Sequence, residues 1–295
     1  MERDGVEIML RRCRGRDRGI GRVVRDVNKF LKGACLGDLH DDIYKDPVSA
    51  VAFQSVASAM SFGSEISGFG AAVDQLGEAR VRKAALAAGI IAAIPEQDYS
   101  LLFDTTMLRK RCLILAFLQE ALAQRCRFEF MEVAFVTGLL MDIGYLLLYE
   151  TCDTDLQLSL YSRIQNPNVD VVEIERFYMG LDHCHVAATV AQVAKLEPAV
   201  VEGIRFHHTP AACDVRYQES ADLCHFVSWL ADNLRYRIAD GLKKQFLESE
   251  SLSRLSWGNQ FKEHITDAVK HATSIADAAI DNALPKIECV RKFAA

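Results

Sequence analysis

The stretch Val133–Tyr149, VAFVTGLLMDIGYLLLY, decides how the chain is read. It is apolar apart from one carboxylate, Asp142, and it is interrupted by Gly138 and Gly144. Leu139, Leu140, Ile143, Leu146 and Leu147 recur at helical spacing, so the stretch is expected to form one helix over 130–149. A helix this apolar is either a membrane span or the centre of a core. At roughly 17 residues it stands at the short limit for crossing a bilayer, and a carboxylate at its middle is costly in lipid. The expectation is a buried core helix and no membrane span. Asp142 must then find a donor or a cation, because a buried carboxylate without one is strongly destabilising.

Outward from this helix the pattern stays helical. Apolar residues recur at i, i+3 and i+4, and period-two runs of β-branched residues are missing. Helices are expected near 22–32, 47–61, 78–94, 104–125, 153–164, 170–179, 183–195, 198–207, 216–246 and 260–283. Asp46 before Pro47, Asp104 before Thr105 and Asp182 before His183 are helix starts of the capping kind. Gly63, Gly68 and Gly70 mark a loop, Asn166–Asn168 another, and Thr209-Pro210 ends the helix before it. The polar segment 242–260 is expected to break the last two helices apart. The fold class is therefore all-α.

The chain has 295 residues, half of them apolar and a quarter charged, enough for a large core without disulfides. Its nine cysteines include no CxxC pair and show irregular spacing, which speaks for reduced thiols and a cytoplasmic protein. The charged N-terminus has no apolar run of a secretion signal. A net charge of −6 argues against a general nucleic-acid binder. Arg3, Arg11, Arg12, Arg14, Arg16, Arg18, Arg22 and Arg25 nevertheless crowd the start, so any nucleic-acid contact would run through them. Residues 1–20 are read as a basic, solvated tail, 21–212 as the main helical domain, and 213–295 as a helical extension packed on it.

Three features carry potential chemistry. Asp142 is the first. The adjacent pair His207-His208, at a helix end, can reach one metal ion or two sides of a cleft; capping or surface histidines are the plainer alternative. His183 stands near a helix start, and His185, two positions on, points away from it. Asp232 is a fourth candidate. On its helix Leu223, Phe226, Val227, Leu230 and Leu234 form the apolar stripe, with Asp232 opposite beside His225 and Ser228. It faces a site only if that second side is also packed.

The order of these residues resembles the HDOD domain, a branch of the HD and HD-GYP superfamily, over roughly residues 22 to 240. The resemblance runs through Ile43-Tyr44-Lys45-Asp46-Pro47 ("I..DP"), Ala72-Val73-Asp74-Gln75-Leu76-Gly77 ("A(I/V)..LG") and Gly138-Leu139-Leu140-Met141-Asp142-Ile143-Gly144 ("GLLHDIG"). It continues through Gly180-Leu181-Asp182-His183 ("G.DH"), Phe206-His207-His208-Thr209-Pro210 ("HH.P") and Leu230-Ala231-Asp232 (the closing "AD"). It implies an HD-superfamily-like helical bundle of the HDOD type. It also implies a metal site at Asp142, His183, His207, His208 and Asp232, and a role in bacterial signal transduction.

The departures from the pattern shape the functional expectation. Met141 stands where the family's HD pair has its His, and residues 104–121 contain no His to supply the upstream ligand. A thioether does not suit the metals such hydrolases use, and two-metal hydrolysis needs both ions. By analogy the lost ligands belong to one metal position. The expectation is a non-catalytic regulatory module that binds signalling proteins in trans, or a nucleotide or cyclic dinucleotide. The alternative is a residual metal-dependent phosphohydrolase on such ligands. As cofactor, either no metal is expected, with a hydrogen-bonded Asp–His network in its place, or one divalent ion; the network is preferred because two His ligands are gone.

Overall fold

Helix starts are set by the side chains named above. In the computed structural model the Asp46 carboxylate accepts from Val48 N at 3.1 Å ahead of Pro47, and Asp104 accepts from Thr106 N and Met107 N at 2.8 and 3.0 Å. The structure describes residues 2–13, 19–31, 34–62, 64–96, 102–233, 253–255 and 261–294. They form α1 (Glu2–Cys13), α2 (Ile20–Leu31), α3 (Leu36–Tyr44), α4 (Pro47–Met60), α5 (Phe69–Leu76), α6 (Glu78–Ala93) and α7 (Thr105–Cys126). There follow α8 (Ala134–Leu140), α9 (Gly144–Gln165), α10 (Val171–Met179), α11 (His183–Val193), α12 (Pro198–Arg205), α13 (Gln218–Asn233) and α14 (Phe261–Ala294). Two short 3₁₀ turns lie between α12 and α13, and no strand occurs among the described residues.

The helices share one apolar core. α14 lies along α4 and α7, α7 packs on α8, and α11, α12 and α13 stack in sequence order on α9 and α7. Leu139, Leu140, Ile143, Leu146 and Leu147 are all fully buried in that core. Among the described residues, Ala134–Gln165 is the stretch apolar and long enough to cross a membrane, and most of it is buried inside the protein. Replacing Leu140 by Ala is expected to cost about 2–5 kcal/mol, the range for emptying a buried leucine site. Chemical denaturation checks it, and a loss well under ~1 kcal/mol would place the helix at the surface.

The expected helix over 130–149 is two helices. Between them, Met141–Ile143 form a tight turn in which Met141 N, Ile143 N and Tyr145 N bond carbonyls three residues back, at 3.4, 3.1 and 3.1 Å. Asp142 therefore sits in a turn, not inside a helix. The two glycines explain the break. A Cβ on Gly138 would stand 2.4 Å from the Leu115 carbonyl oxygen of α7, and one on Gly144 would stand 2.1 Å from the His183 carbonyl oxygen of α11. Each glycine thus seats a helix end against another backbone, and the turn redirects the chain between the two contacts. Beyond it, α9 runs through 149–153, where a break was expected, with only a kink at Cys152.

Residues 2–13 also differ from the expected solvated tail: they form α1, whose Val6 and Leu10 are buried in the core. Arg22 pairs with Asp26 at 3.2 Å and with Asp46 at 2.7 Å, so it belongs to the folded body. The side chains of Arg3, Arg11, Arg12, Arg14, Arg16 and Arg18 lie outside the described residues, as do the expected extension of the 216–246 helix past Asn233 and most of the 242–260 segment. α3 and α5 were not expected. α3 begins with a capping box whose capping side chain is a thiol: Asp38 N donates to Cys35 Sγ and Cys35 N to Asp38, each at 3.3 Å. Cysteine is not among the ordinary capping residues.

Candidate functional site

The turn at 141–143 presents the Asp142 carboxylate, 1% exposed, to two neighbours of different kind. On one side stands Arg111 of α7. Its Nε donates to Asp142 Oδ2, its Nη1 to Asp232 Oδ1 at 2.6 Å, and its Nη2 to Ser228 Oγ at 3.0 Å. On the other side Asp142 Oδ1 faces His183 Nε2 at 3.8 Å and His207 Nε2 at 3.7 Å. These are ion-pair distances, too long for hydrogen bonds, and Oδ1 has no hydrogen-bond partner among the described residues. Burial opposes the charge on Asp142, but attraction to Arg111, then to His183 and His207, outweighs it and holds its pKa below the usual carboxylate range. Arg111 is likewise opposed by burial, yet Asp142 and Asp232 keep it firmly charged.

Each imidazole is oriented from behind. Asp182 caps α11 by accepting from His185 N at 2.7 Å, which places His183 at the helix start. Buried Glu175 of α10 accepts from His183 N at 2.9 Å and from its Nδ1–H at 2.7 Å, and Tyr145 donates to the other Glu175 oxygen at 2.6 Å. The Tyr145 ring stacks on the His183 ring, centroids 4.3 Å apart. His207 Nδ1–H donates to the Ile204 carbonyl at 2.7 Å, and His225 Nδ1–H donates to the His207 carbonyl at 2.6 Å. With Nδ1 engaged on both rings, the two Nε2 atoms turn toward each other, 3.3 Å apart, and toward Asp142. A carboxylate or carbonyl behind an imidazole is the usual support of a metal-binding His.

Three acceptor atoms facing one another require a cation or a shared proton. Burial opposes a proton on His183, but Cys184 and Glu175 outweigh it and raise its pKa well above the ordinary value. Burial and the neighbouring His183 push His207 down to about 4, and burial with His207 holds His208 well below the ordinary imidazole value. These directions favour a proton on His183 over one on His207. The direct Asp–His hydrogen bonds of the preferred metal-free network are not formed: Asp142 bonds Arg111, and the imidazoles bond each other. His208 joins from the 206–208 turn, its ring 4.4 Å from that of His207 and 5.2 Å from that of His183. His183, Cys184, His207 and His208 bring one ligand atom each within 4.8 Å of one another. Asp232, 40% exposed, reaches this centre through Arg111, and its other oxygen lies 3.9 Å from Arg163 Nη2. The second face of α13 is indeed packed, since Ser228 is buried there.

The donors suit one ion between the imidazoles, held by His183, His207 and their neighbours. They do not suit a second one, because the space between Asp142 and Asp232 is taken by Arg111, and Met141 is buried in the apolar core. Above Arg111 opens a cleft of about 580 Å³ lined by Arg111, Asp142, Tyr145, Arg163, His183 and His208, among others. Four of the central residues escaped the sequence reading: Arg111, Tyr145, Glu175 and Cys184. Arg111 left one signal, its place in the basic run Arg109-Lys110-Arg111 directly before the apolar stretch Leu113–Leu118. Glu175, in a short amphipathic helix, left none.

The family model of the HDOD domain matches residues 32–210 of the chain. Among solved structures, a protein named as a phosphohydrolase from Shewanella amazonensis SB2B is similar at 19% identity and a TM-score of 0.69, covering 88% of this chain and 93% of that one. An HDOD domain protein with unknown function from Geobacter sulfurreducens is similar at 18% identity and 0.70, covering 88% and 91%. A protein named for signal transduction from Marinobacter aquaeolei VT8 is similar at 21% identity and 0.66, covering 97% of this chain and 65% of that one. These likenesses show the fold. No protein with a curated description matches the chain.

Proposed function

Since the chain belongs to the HDOD domain family, we propose that it is a regulatory module that acts by binding and not by hydrolysis. The observation that carries this reading is Arg111. Its guanidinium joins Asp142 to Asp232 and occupies the place between them where a second cation would have to bind. A two-metal hydrolase clamps the attacking and leaving oxygens of its substrate with both ions and generates hydroxide from metal-bound water. A guanidinium neutralises the same carboxylates but holds no water to activate. The single ion that the imidazole side suits would tie α11 and the 206–208 turn to the Asp142 turn. The chain's own residues keep that side oriented through Glu175, Tyr145 and His225.

The cleft above Arg111 has a volume within the range of small-molecule sites, ~300–1,000 Å³. It is where a nucleotide or cyclic dinucleotide would sit, and its occupation would alter the surface offered to signalling proteins in trans. The test is direct. The purified chain, supplied with manganese or iron, is assayed against cyclic dinucleotides and simple phosphoesters. No turnover is expected. A rate on the order of 1 per second or faster, abolished in Asp142→Ala, would make the protein an enzyme and end this reading.

A further inference from the structure

Cys184 follows His183 at the start of α11, and its thiol is buried. Its Sγ lies 3.5 Å from His183 Nε2 and 3.9 Å from His207 Nε2, while the two Nε2 atoms are 3.3 Å apart. A tetrahedral ion with metal–nitrogen bonds of ~2.0–2.1 Å and a metal–sulfur bond of ~2.3 Å needs N···N edges of about 3.3 Å and N···S edges of about 3.6 Å. The observed edges stand at or near these values without any ion to draw the side chains together. A second observation points the same way. Asp142 Oδ1 is buried, unpartnered among the described residues, and aimed at the same two nitrogens from 3.7 and 3.8 Å. An ion among these donors serves that oxygen together with the two nitrogens.

The structure assigns to His183, Cys184, His207 and His208 a site for one borderline-soft divalent ion, zinc being the type, with Cys184 as its thiolate ligand. A thiolate beside imidazoles favours such ions over the hard magnesium or manganese that oxygen donors select. On binding, the Cys184 thiol loses its proton to solvent and the Sγ–metal bond forms, with no change of oxidation state. The assignment rests on the one-ion reading above and adds the identity of the donors and of the metal class.

Cobalt(II) serves as the probe in the full-length protein stripped of metal. One equivalent is expected to bind with the ultraviolet band of thiolate-to-cobalt charge transfer, and zinc is expected to displace it while manganese does not. Cys184→Ser and Cys184→Ala are expected to lose the band and to bind zinc on the order of 10–100-fold more weakly or worse, the loss known for removing even an outer partner of a metal ligand. Circular dichroism melts show whether these variants stay folded. Cys112→Ser and Cys224→Ser, at buried thiols outside the cluster, are expected to keep the band. One equivalent of cobalt without the band, a band that survives in both Cys184 variants, or no ion bound at all would each overturn the assignment and leave the non-catalytic reading standing. Two equivalents together with phosphoester turnover would overturn both.

Discussion

Replacing Arg111 by methionine is expected to destabilise the fold by about 3–5 kcal/mol, because the change strips a buried carboxylate of the guanidinium bonded to it, its strongest counter-charge, while leaving the carboxylate in place. Asp142 is almost fully buried, its Oδ1 already lacks a hydrogen bond, and Arg111 is the cation bonded to its Oδ2. Methionine keeps most of the side-chain volume, so packing loss is a minor part of the effect. Urea unfolding near neutral pH reads it, and a loss below ~1 kcal/mol would mean that Asp142 is served by something other than Arg111. The double variant Arg111→Met/Asp142→Asn is expected to lose less than the sum of the single changes, since the uncompensated charge is gone; couplings of ~0.5–3 kcal/mol are usual for touching pairs.

The same pair predicts a pH dependence. The folded pKa of Asp142 is lowered, so its contribution to stability is complete above the unfolded carboxylate value of ~3.9 and is lost as pH falls below that toward the folded value. In Arg111→Met the carboxylate can shed its penalty by taking a proton. The gap between wild type and variant is therefore expected to narrow as pH drops below ~4, and a gap that widens there would contradict the pairing.

Gly144→Ala is expected to be the most damaging glycine-to-alanine change among the described residues, at about 3 kcal/mol or more, the upper end for inserting a methyl group into a packed interior. The new methyl would stand 2.1 Å from the His183 carbonyl oxygen and 3.0 Å from Ala187 N. These are backbone atoms of α11 and cannot swing aside as a side chain would. Relief requires α11 to move away from α9, and His183 and Cys184 move with it. Loss of stability and loss of cobalt binding should thus appear together in one variant. Thermal melts and cobalt titration check this, and a melt within ~2 °C of wild type would show that the helices can part freely.

The reach of the sequence differs between fold and site. Helix positions were legible because burial imposes a 3.6-residue rhythm and because Asp46, Asp104 and Asp182 are capping residues in plain sight. α1 was hidden because Val6 and Leu10, the buried positions among its described side chains, do not stand out among arginines. The turn at 141–143 was hidden because apolar periodicity does not register a local tightening of the backbone. Within the site, Asp142 stood out as a carboxylate in an apolar stretch, and His183, His207 and His208 gained weight from their order in the HDOD-like pattern. Arg111 and Glu175 did not, since a charged residue on a helix is ordinarily solvated and only its partners from α8–α9, α11 and α13 show that it is not.

Arg111 also separates the centre into two halves of different permanence. A metal ion exchanges with its surroundings, competes with other ions and leaves for a chelator. A guanidinium is tethered by its own backbone and stays protonated at any pH at which proteins fold. The Asp142–Asp232 half of the cleft therefore carries the same charge in every metal environment, whereas the imidazole half, holding the proposed ion, would follow the supply of ions around it. On that proposal a chelator strips the second and leaves the first intact, so the domain would have one cation that it inherits at synthesis and one position whose occupancy can change within its lifetime.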